Sequence, residues 1–143
     1  MEGYNAVIFA CGQTASGKTF TLVRFHSGNE DQPGIIPRAM KDVFAHIRRT
    51  STREYLRCSY LEIYNETIYD LLAPPSAAAT QPVQLIGQGI LSPLREEVVT
   101  SLKSVREVME RGKRHRRIAS TDWNERSSRS HSVFRLVIEN RER

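Results

Sequence analysis

Lysine is scarce in this chain, with 4 residues against 17 arginines in a net charge of +5 over 143 residues. Cysteine is scarcer, Cys11 and Cys58 being the whole supply. Two distant thiols with no companion at metal-ligand spacing argue against a disulfide framework and a cysteine zinc site, so both are expected as buried free thiols. Long apolar runs are also missing. The longest, Ala6 to Cys11, falls far short of the roughly 20 residues that a spanning helix needs, so no membrane crossing is expected. Met1-Glu2-Gly3 puts no basic segment ahead of an apolar stretch, so no secretory leader is expected either. Aromatic residues make up 8% of the chain, and they form neither a base-stacking platform nor a nucleic-acid recognition motif. Nucleic acid is therefore not an expected partner.

What is present is ordinary for one globular domain: 39% hydrophobic and 26% charged residues, at a length that can bury a core. The positive charge is concentrated. From Ser101 to Arg117 there are seven basic residues (Lys103, Arg106, Arg111, Lys113, Arg114, Arg116, Arg117) and two acidic ones. Such a surface favours nucleic acid, acidic lipid or an acidic protein polymer, and charge alone does not choose among them.

Strands and helices interleave, which makes the class α/β. Tyr4 to Ala10 is a short apolar run before a glycine turn, the pattern of a strand buried on both faces. A helix is predicted over Lys18–Phe25, and another from about Pro37 with Met40, Val43, Phe44 and Ile47 on one stripe. Arg53 to Tyr64 reads as a long strand, Asn65-Glu66 as a turn, and Ile68 to Leu72 as a short amphipathic turn or helix. The segment from about 73 to 82 is low in complexity and expected as a mobile loop. Val83–Ile86 and Glu97–Val99 read as small strands around Gly87 and Gly89. Ser101 can cap a basic helix with the stripe Leu102, Val105, Val108 and Met109. Ser132 to Glu139 alternates as a half-buried strand.

Gly12-Gln13-Thr14-Ala15-Ser16-Gly17-Lys18-Thr19 matches G-x-x-x-x-G-K-[ST] in full. Its glycines let successive backbone N–H groups turn toward phosphate oxygens, and a helix opening at Lys18 adds its positive dipole end. Lys18 supplies a mobile charge for the β- and γ-phosphates, and the Thr19 hydroxyl can ligate Mg²⁺. An accidental match in a chain this long is expected at a rate of roughly one in two hundred. Nucleotide binding follows, with Mg²⁺ as the expected metal. His26 and His46 are expected as ordinary surface residues.

Asn124-Glu125-Arg126-Ser127-Ser128-Arg129-Ser130-His131 crowds hydroxyls, an amide, guanidiniums and an imidazole into eight positions. Such a loop can sense a γ-phosphate, with hydroxyls on Mg²⁺ and Asn124 holding a water in line. A solvated polar loop and an Arg-Ser segment awaiting phosphorylation remain open on residue types alone.

Taken in order, Gly3–Ala10, Gly12–Thr19, Gly34–Ala39, Tyr60–Glu66, Ile68–Leu72 and Asn124–His131 resemble consecutive signatures of the kinesin motor domain. Ala15 and Asn124–Ser128 are similar to its centromere-associated branch and the fungal relatives of that branch. The resemblance implies a P-loop NTPase fold, a mixed central sheet flanked by helices, incomplete at both ends, with residues 1–143 a partial motor domain. It implies that Gly12 to Thr19 bind the ATP phosphates with Thr19 on Mg²⁺. Ser127 and Ser128 would close on γ-phosphate and metal, Asn124 would place the lytic water, and Arg129 would pair with a switch II glutamate. Arg116 matches a family arginine near the metal-side phosphates, while its neighbour His115 stands where the family usually has Asn. Trp123 is expected as a packing anchor.

The resemblance further implies a microtubule motor ATPase, with tubulin as partner and the cytoplasmic microtubule cytoskeleton as location. The family's Arg-x-Arg-Pro loop, its switch II motif Asp-Leu-Ala-Gly-Ser-Glu, its main tubulin-binding helices and its neck linker do not occur in this sequence. Dimerisation is expected through segments not present here. Of the segments present, that from about Ala73 to Val99 corresponds to a family part that touches the microtubule. A non-catalytic fragment that binds nucleotide or tubulin without motor activity is the alternative, and a basic nucleic-acid module the third.

Overall fold

A tight turn organises the largest sheet. Asn65 and Glu66 both take positive φ, 49° and 61°, the backbone signature of a two-residue type I′ hairpin turn. In the computed structural model this turn folds strand β2 (Thr67–Asp70) antiparallel onto strand β1 (Glu54–Tyr64), with Tyr64 opposite Thr67. The structure describes residues 4–25, 32–50, 54–74, 82–118 and 129–140. The chain divides into two units, Met1–Val43 and Phe44–Arg143.

In the second unit β1 is the central strand. One edge carries β2 and the short β5 (Glu97–Val98); the other pairs along its whole length with β6 (Ser130–Asn140), all antiparallel. Two further strands, β3 (Gln84–Ile86) and β4 (Ile90–Ser92), form a separate hairpin. Helix α3 (Leu102–Ile118) packs on β1. Its start is a reciprocal serine cap: Ser104 N donates to Ser101 Oγ at 3.2 Å, and Ser101 N donates to Ser104 Oγ at 3.1 Å. Val105, Val108 and Met109 from α3 are buried, as are Leu56, Cys58, Tyr60 and Leu61 from β1. No helix among the described residues is long and apolar enough to cross a membrane.

Gly112 lets α3 sit this close. A Cβ there would lie 2.3 Å from Tyr60 Cδ1 and 2.9 Å from Cε1. Gly112→Ala should therefore lower stability by about 1–3 kcal/mol through overpacking. This opposes the gain of about 1 kcal/mol that alanine ordinarily brings to a helix interior. Urea unfolding checks the sign, and Tyr60→Leu in the same chain should recover part of the loss.

The first unit holds helix α1 (Lys18–Val23) and the opening of helix α2 (Ile35–Thr50), which begins two residues before the predicted Pro37. Helix α1 stops at Val23, short of Phe25. Several expectations are corrected. Tyr4 to Ala10 is not a strand: Tyr4 is 86% exposed and Phe9 81%. The first unit contains no strand among its described residues, and a run without a pairing partner gains no ladder. Ile68 to Leu72 is strand and bend rather than helix, because the I′ turn directs it back along β1. Leu102 lies outside the buried stripe at 37% exposure, and Cys11 is exposed. His46 is half-buried rather than a surface residue. The mobile loop expected at about 73–82 lies, in its residues 75–81, outside the described residues, as do His26 and Trp123.

Candidate functional site

The loop before α1 has the backbone that its glycines forecast. Gly12 has φ 153° and Gly17 φ 87°, and Gly17 caps the helix from a left-handed conformation. A Cβ on Gly12 would stand 2.4 Å from Ser16 Oγ, which would have to turn away; the positive φ is what favours glycine here. Ala15 also takes positive φ, 65°, a strained choice for a residue with a side chain. Ser16 N donates to the Gln13 carbonyl at 3.2 Å, and Thr21 N to the Gly17 carbonyl at 2.9 Å. Gln13, Thr14, Ala15, Ser16 and Thr19 are exposed; Gly17 and Lys18 are half-buried.

Lys18 folds its ammonium back over this loop, donating from Nζ to the carbonyls of Gly12 and Gln13, the latter at 2.6 Å. A cation over a glycine-rich turn, with a hydroxyl one residue on at Thr19, is a donor set that suits a polyphosphate with its divalent cation. The residues present therefore fit ATP and Mg²⁺. Lys18 and Thr19 would hold them, and the metal would supply charge neutralisation on the phosphates.

The remaining candidate residues belong to the second unit. Arg116 is 14% exposed, and its Nε donates to Glu62 Oε1 at 2.6 Å; the Glu62 side chain is fully buried. Arg116 Nη2 donates to Ser130 Oγ. The register explains the meeting. Tyr60, Glu62 and Tyr64 of β1 stand opposite Phe134, Ser132 and Ser130 of β6, hence on one face. Gly112 and Arg116, four apart on α3, lie over that face, Gly112 against the Tyr60 ring and Arg116 on Glu62. Burial pushes the Tyr60 hydroxyl up, opposed by Arg116 and by a hydrogen bond with Ser132. His115 Nδ1 lies 2.9 Å from the Leu71 carbonyl, which can only accept, so Nδ1 carries the proton. Arg129 is described and exposed, next to the first residue of β6. Asn124, Ser127 and Ser128 lie outside the described residues.

Much of the basic surplus on α3 is matched. Arg111 pairs with Glu97, Arg116 with Glu62, Arg106 with Glu110 at 2.8 Å, and Lys103 with Glu107 at 4.0 Å. Helical i,i+4 geometry and strand neighbours supply these carboxylates, so the helix is not a uniform polyanion face. Arg106 holds the exposed Glu110 carboxyl below its ordinary value.

Two carboxylates escaped the sequence reading. Glu62 was the more detectable, one acid in the centre of Tyr-Leu-Glu-Ile-Tyr. Asp70 is buried and accepts from Leu72 N at 2.8 Å and Arg95 N at 2.7 Å, tying β2 to the segment before β5. Cys58 is also buried. Desolvation, with Glu97 adding and Arg111 opposing, pushes its thiol up to about 11, which leaves it neutral and unreactive.

The sequence pattern of the kinesin motor domain matches residues 1–143. Kinesin-like protein KIN-7L of Oryza sativa subsp. japonica is 48% identical over 140 residues, covering 97% of this chain and 21% of that protein. Human centromere-associated protein E is 43% identical over 151 residues, covering 100% of this chain and 5% of that protein. A solved structure of a fast kinesin superposes with a TM-score of 0.81 at 40% identity, over 95% of this chain and 39% of that one. The chain thus spans about a fifth or less of these two curated relatives. With the family's pattern running from end to end and a kinesin structure matching its fold, this chain belongs to the kinesin motor domain family and has its P-loop NTPase fold.

Proposed function

We propose that this chain is the nucleotide-binding part of a microtubule motor, a kinesin-type ATPase that couples ATP hydrolysis to movement along microtubules. The observation that carries the reading is the loop Gly12–Thr19, with two glycines at positive φ and the Lys18 ammonium folded over it. That arrangement offers backbone N–H groups and a cation to a polyphosphate. Gln13, Thr14, Ala15 and Ser16 would line the phosphates with Gly12 and Gly17, and Thr19 and Ser128 would meet Mg²⁺. Arg116 would stand on the metal side. Asn124 would orient the attacking water, Ser127 and Ser128 would close on the γ-phosphate, and Arg129 would complete the closed state through its ion pair. Catalysis of this type rests on positioning and charge stabilisation.

Leu85, Ile86 and Ile90 of the β3–β4 hairpin are 65%, 51% and 66% exposed, an apolar edge suited to a protein partner. It lies in the segment that corresponds to a microtubule-touching part of the family, which supports tubulin as that partner and the cytoplasmic cytoskeleton as the location. The test is ATP turnover by the complete protein with and without polymerised tubulin. Stimulation that is lost in Lys18→Ala is expected. Turnover indifferent to tubulin would refute the motor reading, and none at all would refute the ATPase.

A further inference from the structure

We infer that Ala15 sets the affinity of the phosphate loop for nucleotide, keeping it below what glycine would give and favouring release; this rests on the function proposed above. Ala15 takes φ 65°, the left-handed region in which the Cβ of an L residue crowds the backbone. Glycine enters that region freely, whereas a side chain disfavours it by about five- to thirtyfold. Asn65 and Glu66 are the other non-glycine residues at positive φ among the described residues. Their conformation is imposed by a hairpin, with the β1–β2 ladder closing on both sides of the turn. Ala15 stands in no ladder.

The turn around Ala15 has a close alternative. Ser16 N donates to the Gln13 carbonyl at 3.2 Å, closing a β-turn with Thr14 and Ala15 at its centre. Of these two only Ala15 has positive φ, the pattern of a type II turn, in which glycine is preferred at that place. A type I turn over the same residues keeps the closing hydrogen bond. It differs by a flip of the peptide between Thr14 and Ala15, which returns Ala15 to negative φ. Residues 13 to 16 are exposed, so no packing blocks the flip. The flipping peptide itself makes no hydrogen bond to the described residues.

The two forms differ in what they offer an anion. Left-handed residues placed between right-handed ones turn successive N–H groups into one concavity, and here Ala15 and Gly17 are the left-handed pair. The flip exchanges the directions of the Ala15 N–H and the Thr14 carbonyl, so an acceptor replaces a donor and repels phosphate. The structure shows the form that binds. Its strain favours the form that does not, and apparent affinity is the intrinsic affinity reduced by the fraction in the binding form. Bound nucleotide keeps Ala15 strained, so the same strain speeds product departure, a step that limits turnover in many enzymes.

The test is equilibrium binding of a fluorescent ADP analogue with Mg²⁺ to the complete protein. Ala15→Gly, Ala15→Asn and Ala15→Val are compared with the parent and with Lys18→Ala. Ala15→Gly should lower Kd by at least about threefold and slow nucleotide release. Asparagine tolerates the left-handed region better than alanine despite its greater size, so Ala15→Asn should also lower Kd. Ala15→Val puts a branched Cβ where it is most disfavoured and should raise Kd by at least about threefold. That ranking follows backbone preference, whereas a simple steric role would place asparagine with valine. A fall of less than about threefold in Ala15→Gly, or an Ala15→Asn variant that binds no more tightly than the parent, overturns the inference. Binding undiminished in Lys18→Ala overturns the phosphate-loop reading and this inference with it. Loss in Lys18→Ala with all three Ala15 variants matching the parent overturns this inference alone.

Discussion

Replacing Lys18 with alanine is expected to erase the stabilisation of the chain by Mg·ATP. At a ligand concentration of about a hundred times Kd, a folded binder gains roughly 2.7 kcal/mol. For a chain of this size that gain raises the thermal midpoint by roughly 10 °C. Lys18 is the cation of the loop, and its Nζ is committed to two backbone carbonyls, of Gly12 and Gln13. A phosphate oxygen offers that ammonium a charged partner instead, and each such hydrogen bond is worth about 1.5–3 kcal/mol. Losing it weakens binding by about a hundredfold, which leaves a gain of roughly 0.4 kcal/mol at the same ATP concentration. Without ATP the variant should melt close to the parent, because both hydrogen bonds of the Lys18 ammonium are solvent-exposed and contribute little. Differential scanning fluorimetry of the two chains, with and without Mg·ATP, measures all four midpoints. An ATP-dependent shift of equal size in both would mean that the loop does not hold the phosphates through Lys18.

The second large effect is on stability. Arg116→Ala should cost about 3–5 kcal/mol, since it strands the Glu62 carboxylate in the interior without its counter-charge. That is a large fraction of the roughly 5–15 kcal/mol by which a domain is stable. Glu62→Leu combined with Arg116→Met should recover most of the loss, because a buried ion pair and a well-packed apolar pair are close to equal in worth. Urea unfolding followed by circular dichroism gives the three free energies. If the double variant were no more stable than Arg116→Ala, the cost would lie in poorer helix packing rather than in an uncompensated charge.

The two experiments probe features of very different legibility. The phosphate loop could be read from eight consecutive residues, and the structure returns the bend that they encode, down to the left-handed Gly17 at the helix start. The serine cap of α3 and the long strand β1 were readable for the same reason. A cap joins residues three apart, and the strand's apolar and aromatic run is continuous. The Asn65-Glu66 turn was anticipated without its handedness. Its I′ form decides that Ile68 and Tyr69 are strand residues, a consequence of backbone direction that residue types do not carry.

Glu62 marks the limit more sharply. Its partner Arg116 lies 54 positions away, on another element, and only the packing of α3 across β1 brings the two together. The exposed Tyr4–Ala10 run fails in the opposite sense: its apolar pattern suits a buried strand, but a strand exists only where a second strand pairs with it. The sequence by itself determined the family, the phosphate loop, and the caps and periodicities of the main elements, because each is written within a few turns of chain. The tertiary structure alone decided which carboxylates are buried, which arginines they hold and which apolar run goes unpaired. Burial and strand pairing are set by residues far apart along the chain.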